Sequence, residues 1–272
     1  MRYVLSALIV VMGAVRAEAH LQTERIEYRH EDAVLEGLLA YTQHDGKHPA
    51  VLVVHEWKGL GPYAEGRAKQ LAELGYVAFA VDMYGKGVRA ETHEEAAKLS
   101  GTYRSDRQLM RARIRAALEV LQRHPLVDPA RIAAIGYCFG GTTVLELARS
   151  GAEIAGVASF HGGLGTPLPA EAGQVRGKVL VLHGADDPFV TAEEVAAFEQ
   201  EMQDAGADYR LIRYSGAVHS FTVPEAGNDP SKGMAHHPEA DQRSWEELTR
   251  FLQQIFQSRE SLHAARERQN RF

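Results

Sequence analysis

The chain has a single cysteine, Cys138, only two tryptophans, and no run of apolar residues beyond its N-terminal segment long enough to cross a bilayer as a helix. One cysteine excludes an intramolecular disulfide and any metal site built on several thiolates. There is no excess of basic charge. Lys and Arg number 30 against 36 Asp and Glu, a net charge of −6, which argues against a nucleic-acid partner. Pro/Ser-rich linkers, internal repeats and sharp changes of composition are also absent. With 45% hydrophobic and 24% charged residues, the composition is that of a globular protein, not a disordered or collagen-like one. A length of 272 residues suits one large α/β domain.

The N-terminal segment reads as separate from that domain. Arg2 precedes the apolar run Tyr3 to Val15, and Ala17-Glu18-Ala19 sets two small residues two apart, the pattern that signal peptidase reads. The run is shorter than the roughly 20 residues a spanning helix needs. A signal peptide over 1–19, cleaved after Ala19, is therefore expected, with export to the periplasm or exterior and no stable membrane insertion afterwards. An uncleaved anchor is the alternative. The domain then covers 20–257. The last stretch, 258–272, carries Arg259, Arg266, Arg268 and Arg271 and reads as a solvated helical tail, since cations suit a helix C-terminus. A basic contact with a membrane or partner is the other reading of it.

Strand and helix patterns alternate between these ends. Arg25 to His30 and Ala33 to Tyr41 alternate in polarity around Glu31-Asp32, as an N-terminal hairpin does. Ala50–His55 is a short, continuously apolar run of the kind that forms a central parallel strand buried on both faces, and Tyr76–Val81, Arg131–Ile135, Ile154–Phe160, Lys178–Leu182 and Tyr209–Tyr214 read as further strands. Helical patterns lie between or after them at Tyr63–Leu74, Gln108–Arg123, Gly140–Arg149, Thr191–Ala205 and Glu239–Phe256. Repeated βα units predict a mostly parallel sheet with helices on both sides.

The sharpest motif is Gly136-Tyr137-Cys138-Phe139-Gly140-Gly141, set directly between a strand and a helix. It has the nucleophile-elbow form G-x-nucleophile-x-G, with Cys in the place more often taken by Ser. The two outer glycines remove side chains that would collide in so sharp a turn, and the helix N-terminus aimed at the sulfur favours thiolate. A thiol nucleophile needs an imidazole base and an acid, in chain order nucleophile, acid, histidine. Asp186 and Asp187 follow the strand ending near Leu182, and His219 follows the last strand. All three groups therefore fall at the C-terminal edge of the sheet, where open α/β folds place their sites.

These residues carry a family likeness. With His55-Glu56-Trp57-Lys58-Gly59-Leu60 and Val81-Asp82-Met83-Tyr84-Gly85-Lys86, the elbow, Gly184–Val190 and His219-Ser220-Phe221, the chain from about Ile26 to Phe256 resembles the dienelactone hydrolase family of the α/β-hydrolase superfamily. The resemblance implies an α/β-hydrolase fold and a Cys138–Asp187–His219 triad, since the family's G-x-x-D-x-x-V spacing puts its acid on Asp187. It implies that Glu56 holds the resting thiol and releases it when substrate binds. Backbone N–H groups of Trp57 and Phe139 are the matching oxyanion hole. Of the two arginines by which the family grips a substrate carboxylate, one place holds Lys86 and the other falls at Thr222-Val223-Pro224, where Val223 cannot bind an anion. Lys86 keeps the charge without the bidentate fork, and Arg89 or Lys232 are the other cations able to stand in.

Trp57 is expected to wall the substrate site, and His161, which precedes Gly162-Gly163, either lines it or is a satisfied structural histidine. His236-His237 has no supporting ligand at helical spacing, so no metal is expected there. The reading is a cofactor-independent hydrolase of small-molecule esters or lactones, working through a thioester. Its rivals are a promiscuous carboxylesterase without lactone preference and a non-enzymatic thiol or binding protein. The oligomeric state is not written in the sequence.

Overall fold

The computed structural model describes residues 20–42 and 46–269, with side chains as far as 257. The expected signal segment 1–19 lies outside the described residues. Strands β1 (Leu21–His30) and β2 (Ala33–Thr42) form the antiparallel hairpin, and β2 runs antiparallel beside β4 (Val77–Val81). The rest of the sheet is parallel: β3 (His48–Val54), β5 (Val127–Tyr137), β6 (Gly156–Phe160), β7 (Lys178–Gly184) and β8 (Tyr209–Tyr214). The eight strands lie in the order β1-β2-β4-β3-β5-β6-β7-β8.

Alternation of side chains across the buried strands explains the layers. Val51 and Val53 of β3 pack with Ala68 and Leu71 of α1 (Pro62–Glu73) and with Leu252 and Ile255 of α6 (Pro238–Gln269). Leu52 and Val54 face the other way. They join Ile114 and Leu118 of α3 (Arg107–Arg123), Val144 and Leu147 of α4 (Phe139–Arg149) and Phe198 of α5 (Ala192–Asp204). Each fully buried Leu, Val, Ile or Phe contributes roughly 1.5–3 kcal/mol, so these two layers hold the sheet rigid beneath the loops at its edge. Among the described residues no helix is long and apolar enough to cross a membrane.

One departure from expectation and the length of α6 have simple causes. Helix α2 (His93–Ser105), which the apolar pattern does not announce, buries only Ala96, Ser100 and Tyr103 and is nucleated by a capping box between Thr92 and Glu95. Helix α6 continues the closing helix unbroken from Pro238 to Gln269, into the stretch read as a helical tail, because no Gly or Pro follows Pro238 to end it.

The topology also fixes where a site can form. From β3 the chain moves to β4 on one side, and β5 lies on the other, so the strand order reverses between β3 and β5. The loops leaving the C-terminal ends of these two strands carry Glu56-Trp57 and Cys138. A crevice outside such a reversal is where open α/β sheets bind ligands.

Candidate active site

Strand β5 ends at Tyr137 and α4 begins at Phe139, leaving Cys138 alone in the turn with φ 53° and ψ −112°. A side chain at Gly136 would put its Cβ 2.1 Å from the Gly140 carbonyl oxygen, and one at Gly140 would lie 2.3 Å from that of Val54. Only glycine allows the helix to approach β3 and β5 so closely, and this approach turns the sulfur outward. Phe139 opens the helix, so its N–H has no partner within α4.

Cys138 Sγ lies 3.1 Å from His219 Nε2, and His219 Nδ1 lies 2.8 Å from Asp187 Oδ2. Asp187 accepts the Phe189 N–H on its other oxygen at 2.9 Å. Its side chain is fully buried, so its two oxygens are fixed by the imidazole and by its own loop. Asp186 points elsewhere: it is exposed and accepts the Gly216 N–H at 3.0 Å, tying the β7 loop to the β8 loop. Burial pushes the His219 pKa down, but the attraction of the Cys138 sulfur, the hydrogen bonds to Asp187 and Cys138, and the Asp187 charge outweigh it. The imidazole is held up at about 10.

A cavity of about 550 Å³ opens between the β3 loop, the start of α1 and the loop after β8, the same loop that carries His219. Glu56, Trp57, Tyr63, Arg89, Ser220 and Val223 line it. Burial raises the Glu56 pKa to about 7, with the Glu225 charge adding to the rise and the His219 and Lys58 charges opposing it. The β3 loop is braced from behind by His55, which donates from Nδ1 to the Glu56 carbonyl at 2.5 Å and accepts the Met83 N–H on Nε2 at 3.2 Å. Burial lowers its pKa to about 4, so this ring is neutral. Tyr84 completes the brace, donating its hydroxyl to the Trp57 carbonyl at 2.8 Å.

The family model for dienelactone hydrolases matches residues 35–256. The chain belongs to the dienelactone hydrolase family. Among solved structures it is similar to one described as m3DLH, at 40% identity and a TM-score of 0.83 over 87% of this chain and 99% of that one. It is also similar to the dienelactone hydrolase-like promiscuous phosphotriesterase P91 from metagenomic libraries, at 37% identity and a TM-score of 0.81, with the same coverage. A curated relative from Bradyrhizobium sp., named probable 2-oxo-3-(5-oxofuran-2-ylidene)propanoate lactonase, is 29% identical over 76% of this chain and 84% of its own.

Within this dienelactone hydrolase fold, Cys138, His219, Asp187, Glu56, Trp57 and Phe139 come together at one sheet edge. Of the two other candidates, Lys86 stands where the sequence reading did not expect it, and His161 takes the second of its two readings, a satisfied structural histidine and not a substrate-binding one. Lys86 does not line the cavity. Asp82 Oδ1 accepts the N–H groups of Tyr84 and Gly85 at 2.8 and 3.0 Å and turns the chain outward. The hairpin carboxylates Glu27 and Glu36 then capture the ammonium, the latter at 3.0 Å. His161 is not in the cavity either. It is fully buried behind Cys138, drawn there by hydrogen bonds to the Cys138 N–H and the Thr222 hydroxyl. Val223 does line the cavity, whose wall also carries the cations Lys58, Arg89 and Lys232.

Sequence reasoning also passed over His55, although its position at the end of a buried strand was a signal. His236 pairs with Asp241 at 3.3 Å, and His237 Nδ1 accepts the Ala240 N–H at 3.3 Å at the start of α6. Among the described residues no group of three or more His, Cys, Asp and Glu is placed to hold a metal ion.

Proposed function

We propose that the protein hydrolyses carboxylic esters or lactones with Cys138 as nucleophile, His219 as proton carrier and Asp187 as its orienting acid. The single observation that carries this reading is the unbroken line Sγ–Nε2–Nδ1–Oδ2, with steps of 3.1 and 2.8 Å. The sulfur attacks the carbonyl carbon while its proton rests on His219 Nε2. The N–H groups of Trp57 and Phe139 receive the oxyanion. Collapse of the tetrahedral adduct breaks the C–O bond, and His219 protonates the leaving alkoxide, leaving a thioester. Water then gives a proton to His219 and its oxygen to the acyl carbon. The thioester breaks, the acid departs, and the thiol–imidazole pair is restored. The family membership supports hydrolysis, and the lactonase name of the Bradyrhizobium relative makes lactones the first substrates to try.

The test is a panel of p-nitrophenyl esters, enol lactones and, because P91 is described as a promiscuous phosphotriesterase, a phosphotriester. Wild type and Cys138→Ala are compared throughout. Turnover of esters or lactones that disappears in Cys138→Ala is expected. Turnover surviving in Cys138→Ala ends the mechanism, and no turnover of any substrate favours a binding protein. Export is proposed on the residues 1–19 alone, and N-terminal sequencing of the protein recovered from a secreting host, beginning at His20, is its test.

A further inference from the structure

Three residues with left-handed backbone meet around the thiol. Besides Cys138, His161 has φ 39° and Ser220 has φ 57°; the only other described non-glycine residue of this kind is Glu31, in the hairpin turn. Non-glycine residues hold such conformations only where their surroundings over-determine them. The surroundings here are a hydrogen-bonded chain whose polarity can be worked out group by group. The Cys138 N–H, shared with the Phe160 carbonyl at 3.0 Å, points at His161 Nδ1 at 3.2 Å. Nδ1 must therefore be the acceptor, so the proton sits on Nε2, which donates to Thr222 Oγ1 at 2.8 Å. Thr222 then donates to the Tyr63 hydroxyl at 2.6 Å, and Tyr63 donates back to the Thr222 carbonyl at 3.0 Å. Arg67 closes the chain, donating to the Tyr63 oxygen at 3.2 Å while paired with Asp241 at 2.6 Å.

We propose that His161 is a positioning residue for the nucleophile: as the Nε2–H tautomer it accepts the Cys138 N–H and locks the turn that aims Sγ at His219. The inference rests on the reading of Cys138 as nucleophile. Both ring nitrogens are engaged, so His161 has none to offer a substrate and does not act as an acid or base. Its ring is wedged edge-on against His219 and Phe221, with centroids 5.4 and 5.3 Å away. Burial and the neighbouring charges of His219, Arg67 and His183 push its pKa well below 6.5. It therefore leaves the thiol proton to His219. A second proton on Nδ1 would set one N–H against another and release the turn.

His161→Phe keeps the ring volume and removes the acceptor; His161→Asn keeps a short-range acceptor. We expect His161→Phe to lower kcat on the order of 10²-fold, as small misplacements of a reacting group do, with KM little changed. It should also move the pH midpoint of Cys138 alkylation by iodoacetamide upward, because the sulfur no longer rests on His219. His161→Asn should recover much of both. In wild type, 15N spectra of the imidazoles should show His161 as the Nε2–H tautomer at every pH from below 6.5 to above, and Thr222→Val should disturb that signature. Wild-type kcat together with an unmoved alkylation profile in His161→Phe overturns the proposal. So does a His161 that titrates near 6.5 or carries its proton on Nδ1. Should His161→Phe fail to fold, the wild-type and Thr222→Val spectra decide. Alkylation and spectra need no turnover, so a wild type inactive on every ester would end the hydrolase reading and leave these results to judge His161.

Discussion

Two adjacent carboxylates at the end of β7 have different work, and burial decides which does what. Asp187 is enclosed and meets the imidazole, whereas Asp186 is in solvent and clips two loops together. We expect Asp187→Asn to lower kcat on the order of 10⁴-fold, because the amide presents a donor to Nδ1 and imposes the wrong tautomer. Asp186→Asn keeps an acceptor for the Gly216 N–H and should stay within about threefold of wild type, a change worth less than 1.4 kcal/mol. Steady-state kinetics on one activated ester ranks the two. The reverse order would move the acid by one residue. Cys138→Ala and His219→Ala should each abolish turnover with the far-ultraviolet circular dichroism nearly unchanged. Both side chains are buried at the sheet edge, and His219→Ala, which leaves the enclosed Asp187 carboxylate without its imidazole, should also lower the melting temperature.

Helix α4 connects the nucleophile to the body of the molecule. Its N-terminus carries the elbow, and its far end carries Glu146 and Arg149, both almost fully buried. Arg149 reaches Glu146 at 3.1 Å, Glu201 of α5 at 2.8 Å and the Leu164 carbonyl at 2.6 Å, while Arg111 of α3 holds the other Glu146 oxygen at 2.8 Å. Removing one partner strands a buried charge, so Glu146→Ala should cost about 3–5 kcal/mol in urea denaturation. Glu146→Leu with Arg149→Met should cost less than Glu146→Ala alone, because both charges leave the interior. A double variant weaker than the single one would show that the network contributes net stability. At this scale the sequence was legible wherever one element carries its own signal. The apolar runs of β3 and β5, the elbow glycines and the periodic face of α3 announce themselves locally. Helix α2 does not, since it buries few residues and rests on its cap. Partnerships across the fold were also hidden: Lys86 is claimed by hairpin carboxylates, and His161 by a threonine from the loop after β8. No periodicity encodes such pairs, because each depends on how the strand order brings distant loops together.

At the scale of the whole molecule, stability and substrate choice both answer to charge around the cavity. The Glu56 carboxyl is raised in the folded state from its ordinary 4.5 to about 7. Its contribution to stability is therefore fully present below 4.5 and lost as the pH rises through about 7, where an enclosed charge must form. Glu56→Gln should melt higher than wild type above pH 7, by about 2–4 °C for each kcal/mol relieved. The advantage should vanish as the pH falls toward 4.5; a gain independent of pH would assign it to packing. Of the cations lining the cavity, Arg89 is the one expected to read substrate charge. Lys58 donates to the Glu91 carbonyl at 3.2 Å and Lys232 lies 3.7 Å from Asp229, but no carboxylate among the described residues pairs with Arg89. Its guanidinium rests at the start of α1, so close to Gly61 that a Cβ there would stand 2.6 Å from Nη2. An exposed guanidinium contributes roughly 0.2–1 kcal/mol to binding one carboxylate, and the helix N-terminus adds about 0.3–1 kcal/mol. Together these favour an anionic substrate by about tenfold, on the scale of 1.4 kcal/mol per decade. A carboxylate-bearing lactone should therefore exceed its methyl ester in kcat/KM by about that factor. The preference should fall between about 0.1 M and about 1 M salt, as the screening length shrinks from about 10 to about 3 Å. Arg89→Ala should erase it, and Lys86→Ala should leave it intact, its ammonium being held by Glu27 and Glu36 outside the cavity. A preference that survives Arg89→Ala would transfer the anion to Lys232, and one that falls with Lys86→Ala would mean that the hairpin carboxylates release that ammonium to the substrate.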